Sequence, residues 1–109
     1  YSAVDALLYS SFALGAHGAI AAILTAAPKA VRLLWDAVQR GDHARGRALH
    51  EKLLPLWNAA VGDNLPACTR YAQSLQGIDA GVPRAPMPAA SPEQRARIEP
   101  ALKALLAAL

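Results

Sequence analysis

Cysteine and aromatic residues are scarce in this sequence of 109 residues. It holds one cysteine, Cys68, and only 6% of its residues are aromatic. A single cysteine excludes an internal disulfide framework and the usual cysteine-based zinc site, and it fits a reducing, cytoplasmic setting best. Cys68 follows Pro66 near a predicted helix start, which could activate the thiol, but a buried structural thiol is the better interpretation. The length allows one domain with one core.

An excess of charge of one sign is also lacking. Eleven Lys and Arg against eight Asp and Glu leave a net charge of +3, which is too small to indicate nucleic-acid binding. The densest basic region, Arg40 to Lys52, is interleaved with acidic residues and is typical of a solvated helix face. Because 54% of the residues are hydrophobic, disorder is excluded as well.

Common catalytic and metal-binding motifs are missing. There is no His-Glu-x-x-His pattern, no Gly-x-Ser-x-Gly elbow and no phosphate-binding glycine loop. His43 and His50 lie on one predicted helix and are interpreted as solvated, whereas His17, between two glycines, is expected to make a structural hydrogen bond. All three lysines fall at polar helix positions, where nothing would desolvate the amine for Schiff-base chemistry: Lys29, Lys52 and Lys103.

The stretch from Ala6 to Pro28 has no formally charged residue over 23 positions, which is long enough for a helix to span a bilayer. It contains serines, a histidine, two glycines and a proline, and alanine contributes little insertion energy. We therefore expect no membrane segment here.

Alanine is the dominant apolar residue, which favours helices that pack closely. Spacing and capping residues predict five helices: Asp5 to Gly15 with Asp5 as N-cap, Pro28 to Gly41, Asp42 to about Val61, Pro66 to Gln76, and a last helix opened by the capping box Ser91-Pro92-Glu93-Gln94. Pro55 and Pro100 predict kinks. The predicted buried positions of the third helix are Ala48, Leu49, Leu53, Leu56 and Trp57, and those of the last are Ile98, Ala101, Leu102 and Leu105.

Two segments between the helices carry other patterns. The apolar run Ala19 to Leu24 suits a strand that is buried on both faces. The segment from Gly81 to Pro88 contains three prolines, which predicts an extended, polyproline-like crossing.

Five short motifs follow one another in an order that chance rarely produces. They are Gly15-Ala16-His17-Gly18-Ala19-Ile20, Ala27-Pro28 with the later Gly41-Asp42, Leu53-Leu54-Pro55-Leu56, Asn64-Leu65-Pro66-Ala67-Cys68-Thr69-Arg70, and Gly77 with Arg84-Ala85-Pro86-Met87-Pro88. This series resembles the C-terminal part of the dihydrodipicolinate synthase / N-acetylneuraminate lyase family of pyruvate-dependent class I aldolases. Arg70 departs from the family's pattern, which has lysine at that place.

The resemblance implies an α/β fold: the last βα portion of a (β/α)8 TIM barrel plus C-terminal helices, in a chain that is itself mostly helical. Residues 1–40 would form helix seven, strand eight and helix eight, and residues 41–109 a C-terminal helical extension. By this resemblance, Tyr1 would correspond to a position within the family's barrel rather than to its start. In such enzymes a lysine of the sixth strand forms a Schiff base with a 2-keto acid such as pyruvate, without a metal or cofactor. Neither that lysine nor the family's proton-relaying tyrosine lies in this sequence.

By the same resemblance, two residues would bind substrate. Ile20 would lie beside the bound keto acid, and Ala3 would occupy a position where relatives often carry glycine. Thr25 replaces an asparagine of the dihydrodipicolinate synthase branch, so that particular substrate is not assigned. The implied partners are the remainder of the barrel and further copies in a dimer or tetramer. The alternative is a free-standing helical module that packs its alanine-rich faces against a partner or itself.

Overall fold

The computed structural model describes all residues from Tyr1 to Leu109, and helices dominate it. A 3-10 turn, Asp5–Leu7, leads into α1. The α-helices are α1 (Leu8–Ala13), α2 (Ile23–Ala26), α3 (Pro28–Gln39), α4 (His43–Ala60), α5 (Leu65–Ser74) and α6 (Pro92–Ala107). The only β pairing is a single parallel bridge between Ser2 and Ala19. No helix combines the length and the apolar content that crossing a membrane requires.

Local signals set most helix ends. Pro28 starts α3. A proline is tolerated at this position because the first N–H groups of a helix have no acceptor within the helix. Gly41 follows α3 with a positive φ of 74°, a conformation that glycine adopts at low cost. Asp42 then caps α4 by accepting a hydrogen bond of 3.0 Å from the Arg45 backbone N–H. The capping box at Ser91 is present with both of its hydrogen bonds.

The long helices α3, α4 and α6 form the centre of the fold, because α4 packs against both of the others. The core is one cluster of twenty buried residues drawn from every helix. On α6 the inner face is the predicted one: Ile98, Leu102 and Leu105 are buried and Ala101 is half-buried. Helix α4 continues through Pro55 and α6 through Pro100, so these prolines do not end their helices.

The face that α4 buries differs from the prediction at two positions. Ala48 is exposed and Trp57 only half-buried, whereas Gly46 is buried. The reason is Tyr9 of α1, whose ring lies so close that a β-carbon on Gly46 would be 3.0 Å from its Cε2 atom. A β-carbon here would require the Tyr9 ring to shift by a few tenths of an ångström, so the small size of glycine suits this core position.

Three predicted segments are corrected by the structure. The first helix is interrupted and ends earlier, and Asp5 does not cap it. The run Ala19 to Leu24 is not a strand: only Ala19 is paired, and the chain turns into α2 at Ile23. The proline-rich segment is not uniformly extended either, because it forms a turn in which the Met87 N–H donates to the Arg84 carbonyl, with a cis Ala85–Pro86 peptide bond.

Candidate functional site

The parallel bridge joins two short extended segments side by side. The Ser2 N–H donates to the Gly18 carbonyl and the Ile20 N–H donates to the Ser2 carbonyl, both over 2.9 Å. The Ser2 side chain is buried and donates to the Ser11 hydroxyl over 2.9 Å, which fastens the first segment to α1. A single bridge has no neighbouring strands of its own, so these are the ends of a sheet that this chain does not complete.

Ala3 and Ile20 are the next residues along these two segments, so the structure brings the two predicted substrate-binding positions to one edge. That edge is the carboxyl side of both segments, where the active sites of (β/α)8 barrels lie. Both residues are exposed, Ile20 by 76%. The expectation of a strand buried on both faces is therefore wrong for this chain, since nothing in it covers the Ile20 side chain.

Asp5 lies two residues after Ala3, and its hydrogen-bond partner differs from the predicted one, which was the start of its own helix. Its Oδ2 atom accepts a hydrogen bond of 2.6 Å from the Ile23 backbone N–H, across 18 positions of sequence. The carboxylate thus caps α2, the helix after the second segment, rather than its own helix. Sequence pattern could not reveal this, because α2 is too short to show periodicity and Ala22 at its start carries no capping side chain.

Gln73 of α5 and Gln76, two residues beyond its end, hold the other end of α2. The Gln73 Nε2 atom donates to the Thr25 carbonyl over 3.0 Å, and the Gln76 Nε2 atom donates to the Ala26 carbonyl over 2.8 Å. The last carbonyls of a helix have no partner within the helix. These two amides therefore replace partners that α2 cannot supply itself.

An apolar cavity of about 260 Å³ lies between α1 and α3. The Phe12 ring meets the Trp35 ring edge-on, with centroids 4.9 Å apart. The only charged group lining the cavity is Arg32, whose Nε atom pairs with Asp36 on the same helix at 3.0 Å. Its walls supply no nucleophile and no general base.

A more polar cleft lies beside the start of α6, between α5 and the proline-rich segment. Asn64 and Gln94 form its floor and exchange two side-chain hydrogen bonds of 2.9 and 2.8 Å. Gln94 also accepts from the Ser91 N–H over 2.8 Å. This network joins the start of α5 to the start of α6.

The histidines form no metal site, and no group of three potential ligands occurs anywhere in the structure. The expected hydrogen bond of His17 is absent, and its side chain is exposed. His43 and His50 are not simply solvated, because both pack against Tyr9. The Tyr9 hydroxyl lies 3.2 Å from His43 Nδ1, and the Tyr9 and His50 rings lie 5.9 Å apart. These contacts join α1 to α4.

Cys68 is fully buried in α5, as expected for a structural thiol. Burial raises the pKa of the thiol above its ordinary value of 9.0, and the positive charge of Arg97 opposes this only in part. A raised pKa keeps the sulfur protonated, and the protonated thiol is a poor nucleophile.

The three lysines are exposed, in agreement with their predicted polar positions.

Cys68 should therefore resist modification in the native protein. We expect alkylation by a neutral maleimide at pH 7 to be at least about tenfold slower than in urea, because the reaction must wait for local opening. The raised pKa also means that the thiol contributes stability below pH 9.0, which is lost as the pH rises through the native pKa. Rapid labelling of folded protein, measured by intact mass, would contradict this assignment.

Taken together, the fold and the edge define a class of protein: the closing part of a (β/α)8 barrel. Sequence comparison agrees. The model of the Dihydrodipicolinate synthetase family matches residues 1–105, so this chain belongs to that family. The predicted fold class, the last βα portion of a barrel followed by helices, is confirmed.

Individual relatives show how much of the family the chain represents. It is 31% identical over 101 residues to 4-hydroxy-tetrahydrodipicolinate synthase of Archaeoglobus fulgidus, covering 93% of this chain and 35% of the relative. It is 40% identical over 76 residues to the enzyme of that name from Bradyrhizobium diazoefficiens, covering 70% of this chain and 26% of the relative. The chain thus spans about a third of these relatives or less.

Among solved structures, KD(P)GA from T. tenax matches with a TM-score of 0.83 and 29% identity, over 98% of this chain and 38% of that one. The matched relatives are lyases of one family. The alternative of a free-standing helical module receives no support from these matches.

Proposed function

We propose that this chain is the C-terminal part of a Schiff-base-forming lyase or aldolase that acts on pyruvate or a related 2-keto acid. One observation carries the proposal: Ala3 and Ile20 follow a parallel bridge at the edge where barrel enzymes bind substrate, in a member of a lyase family. In this proposal residues 1–40 complete the barrel and residues 41–109 are an extension that packs on it.

The role of the chain in the reaction is to shape the pocket. Ile20 offers an exposed aliphatic surface beside which the methyl and carbonyl carbons of a small keto acid would pack. The Ala3 methyl group would narrow the pocket next to it, where relatives often carry glycine. The Schiff-base lysine would come from the preceding part of the barrel, because the lysines of this chain are exposed on helices.

Borohydride trapping of the full-length protein that carries this chain tests the proposal. Incubation with pyruvate followed by reduction should leave a stable adduct on one lysine outside residues 1–109, because reduction converts the imine to an amine. Peptide mapping by mass spectrometry locates the adduct, and Lys29, Lys52 and Lys103 serve as internal controls that should stay unmodified. No adduct with a panel of 2-keto acids, or an adduct on one of these three lysines, would count against the proposal.

We also propose a reducing, cytoplasmic setting, because the chain has a single cysteine, and the family resemblance leads us to propose that the full-length protein forms a dimer or tetramer. Sedimentation of that protein distinguishes these states from a monomer.

A further inference from the structure

Three hydrogen bonds connect the segment Ser2–Asp5 with the segment Gly18–Ile23. Two are the backbone bonds of the bridge, at Ser2. The third is the bond from the Ile23 N–H to the Asp5 carboxylate. The two segments and these bonds form a closed ring, which we call the edge ring, and both Ala3 and Ile20 lie within it.

The hydrogen bond that the Asp5 carboxylate accepts from the Ile23 N–H is the only one that closes the edge ring at the end opposite Ser2. No other hydrogen bond reaches the Ile23 N–H, and none crosses between the segments beyond Ile20. An ionised acceptor makes a hydrogen bond about twice as strong as a neutral one, and a negative charge is favoured at a helix start. Without Asp5 no hydrogen bond would tie the residues beyond Ile20 to the segment Ser2–Asp5.

The edge ring is also coupled to the C-terminal extension. Ile23, Ala26 and Ala27 are buried, so α2 is anchored in the core just beyond the ring. Gln73 of α5 and Gln76 just beyond it then donate hydrogen bonds to the last carbonyls of α2. These bonds connect α2, which starts three residues after Ile20, to the C-terminal extension.

From this geometry we propose that Asp5 is a positioning residue, which fixes the pocket wall at Ile20 through the Ile23 amide, and that Gln76 supports it from the extension. The inference rests on the proposed function, since it assumes that Ile20 borders the substrate. It assigns Asp5 no contact with the substrate. The Asp5 carboxylate accepts the hydrogen bond of the Ile23 backbone N–H instead. In this proposal the C-terminal extension also helps to determine the shape of the pocket.

The test uses the full-length protein with Asp5→Ala, Asp5→Asn, Gln76→Met and the control Gln39→Met. Asp5→Ala removes the acceptor and is expected to raise KM for the 2-keto acid about tenfold with kcat changed less than about twofold. Asp5→Asn retains an acceptor oxygen and should recover most of the affinity. Gln76→Met should raise KM about two- to threefold, whereas exposed Gln39, which makes no side-chain hydrogen bond, should tolerate the same change.

Hydrogen exchange separates this inference from the proposed function. The Ile23 amide should exchange faster in Asp5→Ala, whether or not the protein acts on a keto acid. Unchanged exchange overturns the bond itself. Faster exchange with unchanged KM, a fall in kcat at unchanged KM, or an equal loss in Asp5→Asn and Asp5→Ala each overturns the positioning role. Failure of pyruvate trapping in the unmodified protein overturns the proposed function instead.

Discussion

Replacing Leu105 by alanine is expected to lower the free energy of unfolding of the protein that carries this chain by about 2–5 kcal/mol. Leu105 is fully buried on α6, the helix that packs most extensively on α4. The Arg45 guanidinium donates to the Ala108 carbonyl over 2.9 Å, so the end of α6 is tied to the start of α4. Because this tie limits how far α6 can move inward, the cavity left by the lost side chain should persist.

The matched control is the next residue on the same helix. Leu106 is 41% exposed, and its replacement by alanine removes the same atoms from a site that already contacts water. We expect a loss of about 1 kcal/mol or less. Urea denaturation followed by circular dichroism measures both variants. Equal losses would contradict this assignment, because they would show that Leu105 and Leu106 are buried to the same extent in the whole protein.

Enlarging Ala72 to leucine should destabilise the protein by about 1–3 kcal/mol. Ala72 is fully buried on α5, where that helix packs on α2 and α6. A leucine there must push these helices apart or adopt a strained rotamer. Since leucine and alanine are both good helix formers, the loss reports packing rather than helix propensity.

Ala48→Leu is the control for this substitution. Ala48 is exposed on α4, so a leucine should change stability by no more than about 0.5 kcal/mol. Thermal unfolding compares the two variants directly. A large loss from Ala48→Leu together with a neutral Ala72→Leu would reverse the burial assigned to the two alanines. The same pair of measurements also tests why alanine is so frequent, because only the buried alanines permit close helix contact.

Local sequence patterns predict α3, α4, α5 and α6 and most of their ends. Pro28, Gly41, Asp42 and Ser91 act through bonds to their own neighbours, so their effect is visible in a short window. The inner face of α6 follows from spacing alone, since one apolar stripe can only turn inward. The order of motifs also indicated the family, which the comparison over residues 1–105 shows.

The details of the candidate site depend on contacts between residues that are distant in sequence. Asp5 bonds Ile23 across 18 positions, and Gly46 replaces Ala48 in the core because Tyr9 arrives from another helix. The pattern of the apolar run after Gly18 predicts a strand, yet the run turns into α2, whose backbone groups bond to Asp5, Gln73 and Gln76. Local patterns record what a residue does to its neighbours in sequence. They cannot record which distant side chain will satisfy a buried N–H, and that choice sets the position of Ile20.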